Sequence, residues 1–352
     1  MKLTIDKAAL LEGLQIVQNV VSVRSTLPIL SNVLLTAEGD GLLLSTTDLE
    51  VSVRCKISGS VDSEGSTTIP VRRLSSIVRE LPESSVEIDI DDKDQASVTC
   101  GSSFFKIVGL AGEEFPPMPT VEEGNFCYHL DQGVFREMLK KTSYAASTDE
   151  TRYVLNGVLL SFKEGKLTMV ATDGRRLALV ESEVEFPAEA EADMILPSKA
   201  VNELQHVLKD EGDLRIFAKD NQIVFEFEDV MVASKLIDGT YPNFRQVIPA
   251  QCEERVAIER EGLLTALKRA SLIAADKASA TKLTFEKNNL VILTSTPDVG
   301  EARETIPIKY TGKEITVAFN PDYMMDPLTT LANAEIAVEL TDNLSPGVIK
   351  CD

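Results

Sequence analysis

One pattern recurs three times along the chain and limits its possible folds more than any other feature. Each copy contains an alternating apolar segment, a short polar turn and a second alternating segment that ends in threonine and an acid. The matching acids are 125 residues apart, at Asp48, Asp173 and Asp298. Self-similarity at a fixed period is typical of chains built from repeated structural units. The sequence therefore predicts three copies of one domain.

Helical patterns flank each copy of the repeat. Apolar residues spaced three and four apart predict a first helix in each copy, at Ala8–Val21, Val134–Tyr144 and Leu263–Ala274. A second helix, entered near a proline, is expected in segments that begin at Ile69, Leu196 and Phe319. Alternating strand patterns follow both helices. We therefore expect an α+β fold of three repeated domains, each with two helices packed on antiparallel sheets.

The domain boundaries are expected in two segments rich in proline, glutamate and small residues, 116–125 and 247–255. This places the domains at residues 1–121, 126–248 and 253–352. The third copy has fewer residues after its second helix than the other two copies have. Its last strand or strands are therefore predicted to be missing.

The charge of the chain restricts how it can meet a nucleic acid. A formal net charge of −21 argues against a protein whose whole surface coats DNA. In the six predicted helical segments, however, basic residues slightly outnumber acidic ones, so the acidic excess lies in strands and loops. A helix-lined surface could then attract a phosphate backbone weakly and without reading sequence. The alternative is that these helices only carry solvated lysine and arginine.

Cysteine usage and hydropathy bear on the compartment. The five cysteines are far apart in the sequence, and the N-terminal segment lacks the apolar core of a secretion signal. Reduced thiols and a cytoplasmic location are expected. No apolar stretch approaches the roughly 18 residues needed to span a bilayer.

Catalytic motifs are weak or incomplete. The two histidines, His129 and His206, are not at metal-ligand spacing, and no phosphate-binding glycine loop is present. Ser279–Lys282 matches an S-x-x-K pattern, but the companion motifs of that hydrolase class are absent. The sequence therefore favours a non-catalytic protein without metal or cofactor.

Several longer motifs resemble one family. "LPILSNVLL", "TRYVLNGVLL", "ATDGRRLAL", "TYPNFRQVIP" and "FNPDYMMD" together are similar to the bacterial sliding clamps, the beta subunits of DNA polymerase III. The resemblance runs in order through essentially the whole chain. It implies a head-to-tail homodimer that closes into a ring around double-stranded DNA, with the helices on the inner wall. It also implies partners that carry short clamp-binding peptides, among them the polymerase III alpha subunit and the clamp loader.

The resemblance also implies three groups of site residues. The candidate DNA contacts are Arg24, Arg73, Arg152, Tyr153 and Lys199. The peptide pocket, expected between the second and third domains, would be formed by Leu155, Thr172, Gly174, Arg175, Arg176, Leu177, Pro242, Val247, Asn320, Tyr323 and Met324. The dimer seam would involve Phe104, Phe105, Lys106, Ile107, Leu272, Ile273, Glu301 and Glu304. Which of the two phenylalanines crosses the seam is left open by the alternation of this strand.

Two details distinguish this chain from the family pattern. Arg175 stands where many relatives have histidine, and Gln246 stands where arginine is common. The paired arginines and the apolar run that follow Asp173 have no counterpart in the other two copies, which favours a peptide-binding role for this segment. The alternatives are a repeat-built protein scaffold that does not enclose DNA, and a hydrolase that acts through Ser279 and Lys282.

Overall fold

Each of the three repeats is built from two halves, and each half runs strand, helix, strands. The computed structural model describes residues 1–21, 27–121, 126–274 and 280–351. The first repeat comprises β1 (Lys2–Asp6), α1 (Lys7–Val17), β2 (Asn32–Glu38), β3 (Gly41–Thr47), β4 (Val51–Ser58), β5 (Ser60–Ser63), β6 (Gly65–Pro70), α2 (Val71–Glu80), β7 (Ser85–Ile90), β8 (Gln95–Cys100), β9 (Ser103–Val108) and β10 (Leu110–Ala111).

The second and third repeats follow the same order. The second comprises β11 (Phe126–Asp131), α3 (Gln132–Ser143), β12 (Gly157–Lys163), β13 (Lys166–Thr172), β14 (Leu177–Glu183), β15 (Ala192–Pro197), α4 (Ser198–Val207), β16 (Asp213–Lys219), β17 (Gln222–Phe227) and β18 (Val230–Lys235). The third comprises β19 (Glu254–Glu259), α5 (Arg260–Ser271), β20 (Thr281–Glu286), β21 (Asn289–Thr296), β22 (Gly300–Pro307), β23 (Ile315–Phe319), α6 (Pro321–Thr330), β24 (Glu335–Leu340) and β25 (Val348–Lys350). The α+β class and the two helices per repeat are confirmed.

The two halves of each repeat exchange their first strands. In the second repeat, β15 joins β12, β13 and β14, and β11 joins β16, β17 and β18. In the third repeat, β23 joins β20, β21 and β22, and β19 joins β24 and β25. All of the described strand pairings are antiparallel. This third-repeat sheet has three described strands, whereas the corresponding sheet segment of the second repeat has four.

Backbone pairing joins the first repeat to the second. β4 pairs with β18 from Val51 opposite Ser234 to Cys55 opposite Val230, which produces one nine-stranded sheet. On one face of this sheet Met231 and Ala233 pack against Met118, which lies in the predicted linker segment. The sheet and the linker segment therefore hold the first two repeats together.

Two compact units result. Residues 1–173 and 179–240 form the first unit, which contains the nine-stranded sheet built from strands of the first and second repeats. Residues 174–178 and 241–352 form the second, whose core lies between α5, α6 and the two sheets of the third repeat. Leu263, Leu267 and Leu328 are fully buried there.

The acids that precede the first helices act as N-caps. The Asp6 carboxylate accepts hydrogen bonds from two backbone N–H groups of α1, the nearer at 2.9 Å. Asp131 and Glu259 cap α3 and α5 in the same way. α1 ends at Val17, four residues before the end of its apolar pattern, because a turn follows in which the Val21 N–H donates to the Gln18 carbonyl. The apolar sequence pattern continues past the end of α1 because the turn residues Val20 and Val21 are buried as well.

The repeated aspartate forms a corner between two strands. The Asp48 carboxylate accepts hydrogen bonds from the backbone N–H groups of Glu50 (3.0 Å) and Val51 (2.8 Å). The next residue, Leu49, has a φ of +77°, and its counterpart Gly174 has a φ of +84°. Glycine adopts this left-handed conformation without strain. The turn role predicted for this acid is thus confirmed at Asp48.

Within the described ranges, no helix is both long enough and apolar enough to cross a membrane.

Candidate nucleic-acid and protein interfaces

The six helices carry a positive balance on an acidic chain. They contain eleven lysines and arginines and seven aspartates and glutamates, whereas the whole chain has a net charge of −21. In α2, Arg72, Arg73 and Arg79 are exposed opposite a buried face that contains Leu74 and Val78. Such helix faces can attract phosphate groups without reading base sequence.

Four of the five predicted DNA contacts are described, and Arg24 lies outside the described residues. Arg73 is exposed on α2. The Arg152 guanidinium is exposed as well and donates a hydrogen bond to the Asp173 backbone carbonyl at 3.1 Å. The neighbouring Tyr153 is 59% exposed. These three side chains are accessible to a ligand, and their role in DNA binding stays a prediction.

Lys199 has a different environment from the other basic candidates. Its ammonium pairs with the carboxylate of Asp48, the corner residue of the first repeat. Burial lowers the pKa of Lys199, and the nearby Glu203 carboxylate opposes that effect. Lys199 therefore links α4 of the second repeat to the first repeat, an arrangement that its sequence context did not indicate.

Part of the predicted peptide site is assembled on α6. The Arg176 guanidinium forms an ion pair with the Asp326 carboxylate and lies over the Tyr323 ring, 4.5 Å from its centroid. The Asn320 side chain caps the helix by accepting from the Asp322 N–H at 2.9 Å. Arg176 is thus fixed against the helix by one charged contact and one aromatic contact.

The other predicted pocket residues differ in exposure. Four of them are exposed: Gly174, Arg175, Pro242 and Val247. Three are half-buried: Leu155, Thr172 and Leu177. Met324 is buried in the core of the third repeat. Leu155 and Thr172 belong to the first compact unit and the others to the second. Their joint role in peptide binding stays a prediction.

Two strands at sheet edges contain most of the predicted seam residues. β9 is the last strand of its sheet, and on it Phe104 is 63% exposed and Phe105 38% exposed, whereas Ile107 is buried. β22 is also an edge strand, and it carries Glu301 and Glu304. An edge strand with exposed apolar side chains is a template for pairing with another chain.

The residues around β22 include an internal ion pair. The Arg269 guanidinium makes two hydrogen bonds to the Glu304 carboxylate, at 3.0 and 2.6 Å, and these lower the pKa of Glu304. Leu272, just beyond α5, is 79% exposed, and Ile273 beside it is half-buried. Lys106 on β9 has the Asp91 carboxylate 4.0 Å away.

Two features were missed from the sequence. Cys127 and His129 lie on one face of β11, with Sγ 3.3 Å from Nε2, a contact that the sequence analysis does not predict. Their i, i+2 spacing on a strand was the available signal. Glu203 is buried on α4, and burial raises its pKa to about 7. No group of three histidine, cysteine or acidic side chains in the described part of the chain could hold a metal ion.

Three family models match the chain. The model described as the DNA polymerase III beta subunit, N-terminal domain, matches residues 1–119. The model of the central domain matches residues 129–243, and the model of the C-terminal domain matches residues 245–351. The three matches together span nearly the entire chain.

Curated relatives and solved structures agree with the family models. The beta sliding clamp of Chlamydia muridarum is 33% identical over 99% of this chain and 95% of its own length. The beta sliding clamp of Bacillus subtilis is 30% identical over 99% of this chain and 96% of its own. Its crystal structure superposes with a TM-score of 0.95, at 30% identity and over 99% and 95% of the two chains. The sliding clamp of Bartonella birtlesii bound to griselimycin gives a TM-score of 0.95 at 33% identity, over 100% and 96%.

Proposed function

This chain belongs to the DNA polymerase III beta subunit family, the beta sliding clamps, and we propose that two copies close head to tail into a ring around double-stranded DNA. The ring tethers the replicative polymerase and other DNA-handling proteins and has no catalytic activity of its own. The observation that carries the proposal is the pairing of β4 with β18 inside the chain, because the repeat contains the same two edges again. The scaffold alternative, in which the chain does not enclose DNA, is not favoured by the named relatives.

The repeat supplies the second pair of edges. In the first half of the first repeat, the consecutive strands β2, β3 and β4 pair in that order, and β4 is the third of them. In the first half of the third repeat, β20, β21 and β22 pair in the same order, so β22 is the counterpart of β4. β18 ends the second half of the second repeat, and β9 is its counterpart in the first. If β22 of one copy pairs with β9 of another as β4 pairs with β18, the contact is heterologous. Such a contact closes into a ring when the rotation permits it.

Strand registers define the counterparts residue by residue. Leu44 and Ile292 are equivalent, because each is the fourth residue of its strand, β3 or β21. Leu44 pairs with Cys55 of β4, and Ile292 pairs with Glu304 of β22. Glu304 therefore corresponds to Cys55. By the same comparison Ser103 of β9 corresponds to Val230 of β18, because each follows the preceding strand by the same tight turn.

The register of the internal junction then predicts the register of the seam. Val53 opposes Val232 there, so Phe105 would oppose Ala302 of the second copy. The next pair along the strands brings Lys106 opposite Glu301 of the second copy. An oppositely charged cross-strand pair contributes roughly 0.2–1 kcal/mol and helps to set the register.

The two phenylalanines then have different roles. Phe105 is on the face of β9 that also contains the buried Ile107, because side chains alternate along a strand. Phe105 would therefore pack on the helix-covered side of the seam, near Leu272 of the second copy. Phe104 would lie on the opposite face beside Lys106.

The DNA contacts are proposed to be weak and unspecific. A closed ring holds DNA by enclosing it, so strong phosphate contacts are unnecessary and would slow sliding. The slight positive balance of the helices agrees with a screened, backbone-directed attraction. Arg24, Arg73, Arg152, Tyr153 and Lys199 remain the proposed contacts. Lys199 would first have to release Asp48.

Partner proteins are proposed to dock short peptides beside α6. The ion pair and the ring contact hold Arg176 and Tyr323 in one arrangement, and the exposed Pro242 and Val247 add apolar surface. Peptide sites of this kind combine an apolar anchor with a few fixed polar groups. The polymerase III alpha subunit and the clamp loader are the proposed partners. The cytoplasmic location stays a prediction.

Retention on DNA of different topology tests the proposal. The protein, placed on a nicked circular plasmid by a clamp loader, should elute with the plasmid and should be lost when the plasmid is linearised, because a ring slides off free ends. Equal retention on both forms would favour the non-enclosing scaffold. The hydrolase alternative predicts acylation of Ser279, a residue outside the described ones, and an unchanged mass after treatment with an acylating probe would exclude it.

A further inference from the structure

A polar cavity lies where α4 of the second repeat meets the first repeat. Its volume is about 340 Å³, and both repeats line it within the first compact unit. Val20 and Val51 form an apolar part of the wall, while Asn19 and Asn202 supply amide groups. The cavity is large enough for a small ligand or for a long side chain of another protein.

The cavity contains a buried carboxyl group whose hydrogen bonding is incomplete. Glu203 is 6% exposed, and its Oε1 atom has no hydrogen-bond partner among the described residues. Burial raises the pKa of Glu203 to about 7, and Lys199, one turn earlier, only partly offsets the effect. A buried polar atom without a partner is costly, so such an atom in a native structure calls for an explanation.

No described basic side chain forms an ion pair with the Glu203 carboxylate. The Lys199 ammonium pairs with Asp48. His206, one turn further along α4, is exposed to solvent. The described first-repeat residues that line the cavity are Asn19, Val20 and Val51, and none of these three is charged. A cation is therefore the complementary ligand.

The next repeat indicates which cation. Glu203 is the sixth residue of α4, and Asp326 is the sixth residue of α6. The Asp326 carboxylate binds the Arg176 guanidinium. Arg176 lies three residues after the corner residue Asp173. The equivalent residue of the first repeat, three residues after Asp48, is Val51, which lines the cavity and has no charge.

The two junctions thus place an acidic residue at the same helix position, but among the described residues only the second junction supplies a guanidinium, that of Arg176. In α2 the sixth residue is Ser76, whose hydroxyl donates to the Arg72 carbonyl at 2.8 Å, so the helix does not need an acid there to form. We infer that the cavity beside Glu203 binds a guanidinium group supplied from outside this chain, with the carboxylate as its anchor.

The geometry of the lining suits a guanidinium better than an ammonium. A guanidinium has five N–H donors in a planar fork, which can bind a carboxylate and further oxygen acceptors at the same time. The side-chain carbonyls of Asn19 and Asn202 provide such acceptors, and the two valines accommodate an aliphatic stem. The group can come from an arginine of a partner protein or from a free small molecule.

Ligand-observed NMR titration tests the inference on the full chain. The probes are ethylguanidinium chloride, an acetylated arginine amide flanked by glycines, and propylammonium chloride, each at constant total salt near pH 8. Ethylguanidinium or the arginine peptide should bind, and propylammonium should bind several-fold more weakly. Binding by the peptide alone would identify a protein arginine as the source, and binding by ethylguanidinium alone would identify a free compound.

Substitution at the anchor completes the test. Glu203→Gln keeps the size of the side chain but removes its charge, and it should weaken binding about tenfold or more. Glu80→Gln removes the same charge from an exposed position on α2 and should leave binding unchanged. Circular dichroism spectra of all chains check that the fold is retained. Absence of binding by both guanidinium probes, or equal binding by wild type and Glu203→Gln, would overturn the inference.

Discussion

Replacing Glu203 with glutamine should make the protein more stable at alkaline pH and should change little at acidic pH. Glu203 is nearly fully buried on α4, and burial raises its pKa from the ordinary 4.5 to about 7. The folded state therefore retains a proton that the unfolded chain releases between these two values. Its stability falls as pH rises through this window, and the loss is complete above about pH 7. Glutamine resembles the protonated carboxyl and does not incur this loss.

The size of the effect follows from the two pKa values. One pKa unit corresponds to about 1.4 kcal/mol. A carboxyl group whose pKa moves from 4.5 to about 7 on folding therefore destabilises the folded state by at most about 3 to 4 kcal/mol at pH values above both pKa values. Near pH 4 the wild type and Glu203→Gln should differ little, and near pH 8 the variant should be more stable by up to that amount.

Urea unfolding followed by circular dichroism at several pH values measures this difference. The chain contains no tryptophan, so far-ultraviolet circular dichroism is a better probe than intrinsic tryptophan fluorescence. Glu80→Gln, on the exposed side of α2, is the matched control and should show no growing advantage with pH. If the free-energy difference between Glu203→Gln and the wild type does not increase from pH 4 to pH 8, the buried-carboxyl argument is wrong.

Three further predictions concern the proposed interfaces. Phe105→Asp should raise the dimer dissociation constant about 100-fold or more by placing a charge among apolar groups, and Phe104→Asp should have a smaller effect; analytical ultracentrifugation measures both, and equal effects would contradict the predicted register. Removing Arg73 and Arg152 together by alanine substitution should lower the slope of log affinity against log salt by about 2, whereas an unchanged slope in DNA-binding titrations would show that neither contacts phosphate. Arg176→Ala should weaken a polymerase-derived peptide about tenfold without loss of the dimer, and unaltered affinity in fluorescence anisotropy would remove Arg176 from the peptide site.

Local sequence patterns predicted the repeated elements well because their causes are local. Alternation and helical spacing follow from which side of a strand or helix faces the core. The first helices begin directly after Asp6, Asp131 and Glu259, since capping requires an acceptor only two or three residues from the N–H groups it satisfies. The ends of the helices were less predictable, because the apolar pattern of α1 continues into the turn after Val17.

The candidate sites were predicted less completely, because they depend on contacts between distant residues. Arg176 was expected in a peptide site, but its partner Asp326 is 150 residues away and was not anticipated. Lys199 is a predicted DNA contact, yet its ammonium pairs with the Asp48 carboxylate of another repeat. Nothing in the sequence around Glu203 distinguishes it from a solvated helix acid.

The sequence alone therefore determines that this chain contains three copies of a helix-and-strand unit with a mildly basic set of helices, because periodicity and composition are local properties. The exchange of strands between halves, the pairing of β4 with β18 and the exposure of β9 and β22 depend on how the copies pack. So does the charge state of Glu203, since a carboxyl group becomes buried only when residues from two repeats enclose it. The repeat supplies equivalent positions. Tertiary packing places one acid, Asp326, in an ion pair with Arg176, and buries the other, Glu203, in a cavity where its Oε1 atom has no hydrogen-bond partner among the described residues.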